Sequence, residues 1–177
     1  ARDRARGVWL DRRTPPNIVT VVLITGIAAL SLNVILPSLP SIAQDFHADY
    51  AVVATAVSGY LALTGILQLV LGPLSDRYGR RPVLLITGAI FLVATAGCLF
   101  APNIAIFLAC RMAQSAVASG LVLSRAIVRD MVPPREAASL LGYVTMGMSI
   151  VPMIGPMVGG ILDETFGWRS VFLFSLV

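Results

Sequence analysis

The sequence predicts an all-α fold, a polytopic membrane helix bundle, and three observations carry that expectation. Of its 177 residues, 57% are hydrophobic and only 12% are charged, far from the balance of a soluble domain. Apolar runs near or above the ~20 residues that a helix needs to cross ~30 Å of hydrocarbon recur along the chain. They are Ile18 to Leu36, Val52 to Leu71, Val83 to Phe100, Ile104 to Val128 and Ala137 to Leu162. Finally, all thirteen basic residues are arginines, and eleven of them collect in the N-terminal tail and in alternate connections between these runs.

Residues 1–16 form a basic tail with Arg2, Arg4, Arg6, Arg12 and Arg13. Beside a membrane span such a tail reads as a topology signal or a contact to anionic lipid, so no nucleic-acid partner is expected. The first apolar run lacks a small-x-small cleavage site followed by polar sequence, so the first span, about 18–39, is expected to stay as an anchor. Residues 17–177 are expected to form one transmembrane unit, with further helices at about 51–74, 82–100, 104–129 and 137–162. A sixth begins at Trp168, and the stretch 168–177 rises only about 15 Å, half a bilayer, so that span is expected to be truncated.

The connections set the orientation. Arg77, Arg80 and Arg81 follow the second span, and Arg125, Arg129 and Arg135 surround the junction of the fourth and fifth. Opposite connections hold Asp45 and Asp49, then uncharged Asn103, then Asp163 and Glu164 before a single Arg169. By the positive-inside bias the N-terminus faces the cytoplasm. Cys98 and Cys110, toward the ends of the third and fourth spans, read as apolar packing residues and carry no redox inference.

Between the second and third spans stands "GPLSDRYGRR", residues 72–81. Gly72 and Asp76 are four apart and share a helix face: the glycine admits a neighbouring helix, and the aspartate places a carboxylate just beyond the contact. The arginines behind it keep the loop cytoplasmic and can pair with acids at other helix ends, Asp130 among them. The order Gly72, Asp76, Arg77, Gly79, Arg80, Arg81 resembles the loop signature of the major facilitator superfamily at every defined position. The resemblance implies that Asp76 sits against the positive N-terminal end of a helix in the other half of the protein, stabilising the outward-facing state. It also implies that Arg80 and Asp130 complete the cluster.

The stretch "GGILDETFGWR" repeats the Gly-x-x-x-Asp spacing from Gly159 to Asp163. In the superfamily each six-helix half is built from two inverted three-helix repeats, so this turn corresponds to the first one on the opposite side of the membrane, where the basic charge is dropped. The chain is thus similar to an N-terminal six-helix half, and a C-terminal six-helix half is the partner the resemblance implies.

The fifth span carries Gly142, Pro152, Gly155, Pro156, Gly159 and Gly160. Its prolines favour a kink, and Gly155 with Gly159 makes a small-x-x-x-small face for close helix contact. The set resembles the motif of drug-exporting antiporters, with the family's intermediate glycine replaced by Val151. In the fourth span, Arg111 and Gln114 resemble the family's Arg-x-x-Gln element, with Ser115 where glycine is usual. Arg111 lies roughly 12 Å deep, where a charge costs several kcal/mol unless it faces a polar cavity or hydrogen-bonds carbonyls of the bundle. Leu36-Pro37-x-Leu39-Pro40 resembles the end of the first span in the bicyclomycin and chloramphenicol resistance branch. There the position of Asn33 is commonly a titratable aspartate. Met146, Ile150, Met153 and Met157 form one stripe of the fifth span, suited to a pocket for varied apolar ligands or to lipid-facing or interhelical packing.

No metal site, cofactor or membrane-enzyme chemistry is expected, because His47 is the one histidine and no acid lies inside a predicted span. The resemblance implies the N-terminal half of a secondary transporter of the bacterial inner membrane that exports small amphipathic drugs by alternating access, in exchange for protons. The cavity candidates are Asn33, Arg111, Gln114, Met146, Ile150 and Met153. The alternatives are an importer of a sugar or small metabolite in the same superfamily, and a non-transporting membrane scaffold.

Overall fold

The computed structural model describes residues 26, 29–118 and 134–176, and every regular element among them is helical. The first span runs as a helix over 29–34 (α1), tightens into a 3₁₀ turn at Leu36–Ser38 and resumes as α2, Leu39–Asp45. Pro37 and Pro40 account for this joint. Each lacks a backbone N–H and stands in the first turn of the segment it begins, where no donor is needed.

α3, Tyr50–Tyr78, starts where the Asp49 carboxylate accepts the Ala51 N–H at 2.9 Å. It passes Pro73 and stops at Gly79, whose φ of 95° is open to glycine at little cost. α4 is Arg80–Leu99. α5, Ile104–Gln114, is capped by the Asn103 side chain and passes into a 3₁₀ turn at Ser115–Ala118. α6, Pro134–Phe166, continues as helix through Pro152 and Pro156. Gly167, at φ 80°, turns the chain into α7, Arg169–Leu176.

Two helices among the described residues, Tyr50–Tyr78 and Arg81–Leu99, are long and apolar enough to cross a membrane. Only 17% of the apolar window of α3 is buried inside the structure, and Leu69 is 79% exposed. The core helix of a water-soluble bundle hides such side chains, so this surface suits lipid or a further helical layer.

One end of the bundle is closed by Phe46, Phe107, Trp168 and Phe172, with ring centroids 5.5 to 5.9 Å apart. Phe107 meets Trp168 edge to face at 85°, the arrangement that ring quadrupoles favour. This cluster ties together the ends of the first, fourth and sixth spans. Deeper in, a Cβ built on Gly97 of α4 would lie 2.5 Å from the Cys110 Sγ of α5, so that cysteine fills a glycine notch. Both cysteines are free, with Cys98 buried.

Candidate functional site

Arg111 is fully buried near the C-terminal end of α5 and hydrogen-bonded to residues far away in the chain. Its Nη1 donates to Ser31 Oγ at 3.0 Å and to Gln114 Oε1 at 2.7 Å, and its Nη2 donates to the Ser31 carbonyl at 2.8 Å. The guanidinium carbon stands 4.5 Å over the ring of Tyr60 on α3. Gln114 passes the network on, donating from Nε2 to Thr95 Oγ1 of α4 at 2.8 Å, and that hydroxyl donates to the Phe91 carbonyl at 2.6 Å.

A buried guanidinium costs several kcal/mol unless its N–H groups find acceptors. Here a carbonyl, a hydroxyl and an amide oxygen accept from the two Nη nitrogens and an aromatic face lies against the guanidinium, while Nε has no hydrogen-bond partner among the described residues. Of the two environments the sequence allows for Arg111, the bundle interior is the one seen. The network clamps α1, α3, α4 and α5 in one arrangement, because removing any partner strands a buried donor or acceptor.

The second feature is a seam between α6 and the first span. A Cβ added at Gly155 would meet Asn33 Cβ at 2.8 Å. At Gly159 it would overlap the Val34 carbonyl oxygen and stand 2.9 Å from the carbonyl carbon and 3.1 Å from Cα. At Gly160 it would reach Pro37 Cβ at 3.9 Å. Glycine at 155 and 159 therefore permits contact at backbone distance. Among the described residues, nothing lies within 4 Å of a Cβ built on Gly142, Pro152 is exposed and Pro156 is half-buried.

Below the seam, Asp163 Oδ2 accepts from Ser41 Oγ at 2.6 Å, so the second Gly-x-x-x-Asp grips the first span through both its glycine and its acid. The two Gly-x-x-x-Asp turns also end alike: Gly79 N–H donates to the Ser75 carbonyl at 3.0 Å and Gly167 N–H to the Asp163 carbonyl at 2.9 Å, each with positive φ. The second turn is one residue longer. In the first turn, nothing among the described residues lies within 4 Å of a Cβ built on Gly72, Asp76 and Arg77 are exposed and Arg81 is half-buried. Asp130 and the side chain of Arg80 lie outside the described residues.

Among the described residues the cavity candidates fall in different settings. Arg111 and Gln114 share the buried network, with Ser31 facing them. Asn33 is two residues further along α1, roughly 200° around the helix, and packs on Gly155 instead. Its amide donates to the Ala29 carbonyl at 2.7 Å. Met153, two residues before Gly155, is turned by the same angle away from the seam and is 78% exposed; Ile150 is also exposed. The side chain of Met146 lies outside the described residues. Ser31, Tyr60 and Thr95 escape sequence reasoning, although each is a polar group inside an apolar run, which is the signal that marks them.

Comparison with known proteins agrees with the motifs. The sequence profile described as Major Facilitator Superfamily matches residues 21–177. The chain is 29% identical to Multidrug resistance protein D of Escherichia coli strain K12, over 90% of this chain and 41% of that protein. It is 34% identical to the Chloramphenicol resistance protein of Pseudomonas aeruginosa, over 88% and 38%. It is 40% identical to the uncharacterized MFS-type transporter YdgK of Bacillus subtilis strain 168, over 81% and 36%. The chain thus spans about two fifths of the length of these relatives.

Proposed function

Because this chain belongs to the Major Facilitator Superfamily, we propose that it is the N-terminal six-helix half of a secondary transporter that exports small amphipathic drugs by alternating access, coupled to proton entry. The observation that carries this reading is the seam itself. Gly155 and Gly159, positions of the antiporter-motif helix, seat on the backbone of Asn33 and Val34 in the first span. A helix packed this closely moves with its neighbour as one body, and rocking of rigid halves about a site between them is how such carriers alternate. The multidrug and chloramphenicol names of two relatives support drugs as the cargo.

In this reading the N-terminus is cytoplasmic, the membrane is the bacterial inner membrane, and a second six-helix half completes the cavity. Arg111 and its partners hold the interior of this half in register. Asp76 docks against a helix end of the missing half, and Arg77, Arg80, Arg81 and Asp130 support the loop. Asn33 carries no titratable proton, so either the other half supplies the proton-bearing carboxylate or proton coupling does not run through this half.

The test is accumulation of chloramphenicol and of a cationic dye in cells that lack their own exporters and express the full-length protein. Lower accumulation, abolished by a protonophore, is the expected result. Raised uptake selects an importer, and unchanged accumulation at verified membrane abundance rejects export.

A further inference from the structure

At the end of the bundle that carries Asp49, Asn103 and Gly167, a cavity of about 510 Å³ opens between α2 and the turn from α6 to α7, with walls from Ser41, Gln44, Asp45, Phe166, Trp168 and Arg169. Its size falls within the ~300–1,000 Å³ of small-ligand sites. The transport reading uses none of these residues.

The walls carry one charge of each sign. Arg169 Nη1 lies 3.0 Å from Asp45 Oδ2, and the two side chains are 48% and 43% exposed, so a ligand reaches both. The guanidinium is stacked on Trp168 at 4.4 Å, which fixes its plane. Trp168 Nε1 also donates to Asp45 Oδ2, at 3.1 Å. Both contacts fall on one oxygen of the carboxylate, and the ion pair uses one nitrogen of the guanidinium. A carboxylate has about four acceptor positions and a guanidinium five donors, so each keeps capacity for a ligand.

A second observation places this cavity at a particular depth. Tyr50, Phe100 and Phe166, at the start of α3, just past α4 and at the end of α6, are 54%, 79% and 77% exposed at this same end. Exposed aromatics gathered at one level of a helical bundle mark the headgroup layer. A neutral or singly charged solute would satisfy half of the cavity. A headgroup with a primary ammonium next to its phosphate satisfies both charges.

We infer that this cavity holds the headgroup of an ethanolamine phospholipid, its ammonium donating to Asp45 and its phosphate accepting from Arg169. A choline headgroup has no N–H to give Asp45, and a glycerol headgroup has no cation. The inference rests on the membrane placement proposed above.

Native mass spectrometry of the full protein, released from nanodiscs with equal parts phosphatidylethanolamine, phosphatidylcholine and phosphatidylglycerol, counts what is retained. Phosphatidylethanolamine should exceed phosphatidylcholine by about tenfold, the worth of one charge-assisted hydrogen bond. Asp45→Asn should erase that preference and spare phosphatidylglycerol, Asp45→Glu should restore it, and Arg169→Gln should lower all three lipids. Because Asp45 also holds Trp168, Gln44→Trp, which fills the cavity without touching that pair, serves beside it and should displace phosphatidylethanolamine equally. Equal retention of the ethanolamine and choline lipids, or a preference that survives both Asp45→Asn and Gln44→Trp, overturns the assignment. Soluble glycerophosphoethanolamine should leave the retained lipid in place; if it displaces the lipid, the ligand is a free zwitterion instead. Failure to reconstitute in any lipid counts against the membrane placement, whereas lost preference in a reconstituted protein counts against the cavity alone.

Discussion

Replacing Gly159 by alanine adds one methyl group, and the structure says what that group meets. It overlaps the Val34 carbonyl oxygen and comes within 2.9 Å of the carbonyl carbon. These atoms are backbone, at the end of α1, so no rotamer change relieves the overlap and one helix must retreat. Overpacking of this kind costs up to about 3 kcal/mol. Alanine regains about 1 kcal/mol over glycine through helix propensity, which leaves a net loss of about 2 kcal/mol. That is roughly a thirtyfold fall in the ratio of native to disrupted packing. Gly142→Ala is the control, because it brings the same propensity gain with nothing among the described residues within 4 Å to strike. Thermal unfolding in detergent, followed by near-ultraviolet circular dichroism, should place Gly159→Ala below the parent protein and Gly142→Ala at or above it. Efflux per transporter should fall for Gly159→Ala alone. Equal melting of the two variants would refute the backbone seam.

Arg111→Leu strands Gln114 Oε1, Ser31 Oγ and the Ser31 carbonyl, at about 1–3 kcal/mol for each group left buried and unpaired, so membrane yield and melting temperature should drop sharply. Arg111→Lys keeps the charge but not the planar fork, and should recover only part of the loss in the same melting assay. Asp76→Asn should leave insertion intact and shift the resting equilibrium toward inward-facing by about 1 kcal/mol, lowering efflux at equal membrane abundance; unchanged efflux rejects the docking role. Asn33→Ala keeps the Cβ on which Gly155 packs and deletes only the amide. It should alter which drugs are exported while leaving the dependence of export on pH unchanged, and a flattened pH profile in vesicles bearing this variant would contradict that.

Composition and periodicity alone determined the all-α class, because hydropathy and charge are properties of contiguous residues and the bilayer reads them segment by segment. The turn between α3 and α4 was legible for the same reason: its end at Gly79, with positive φ, is set within one helix end. The echo from Gly159 to Asp163 was visible as spacing, yet its use was not, since the backbone of Val34 and the hydroxyl of Ser41 are its partners and lie more than a hundred residues away. Arg111 announced itself as a charge in an apolar run. Whether it faced a cavity or the bundle depended on Ser31, 80 residues distant, and on the ring of Tyr60, which only the packing of α1 and α3 brings to it. The methionine stripe shows the same division: spacing places Met153 and Met157 on one face, but which face is free depends on where Gly155 and Gly159 find a backbone to touch. Local chemistry selects helices and their ends, and contacts between distant residues select which side of each helix is buried. Those contacts exist only once the helices are assembled.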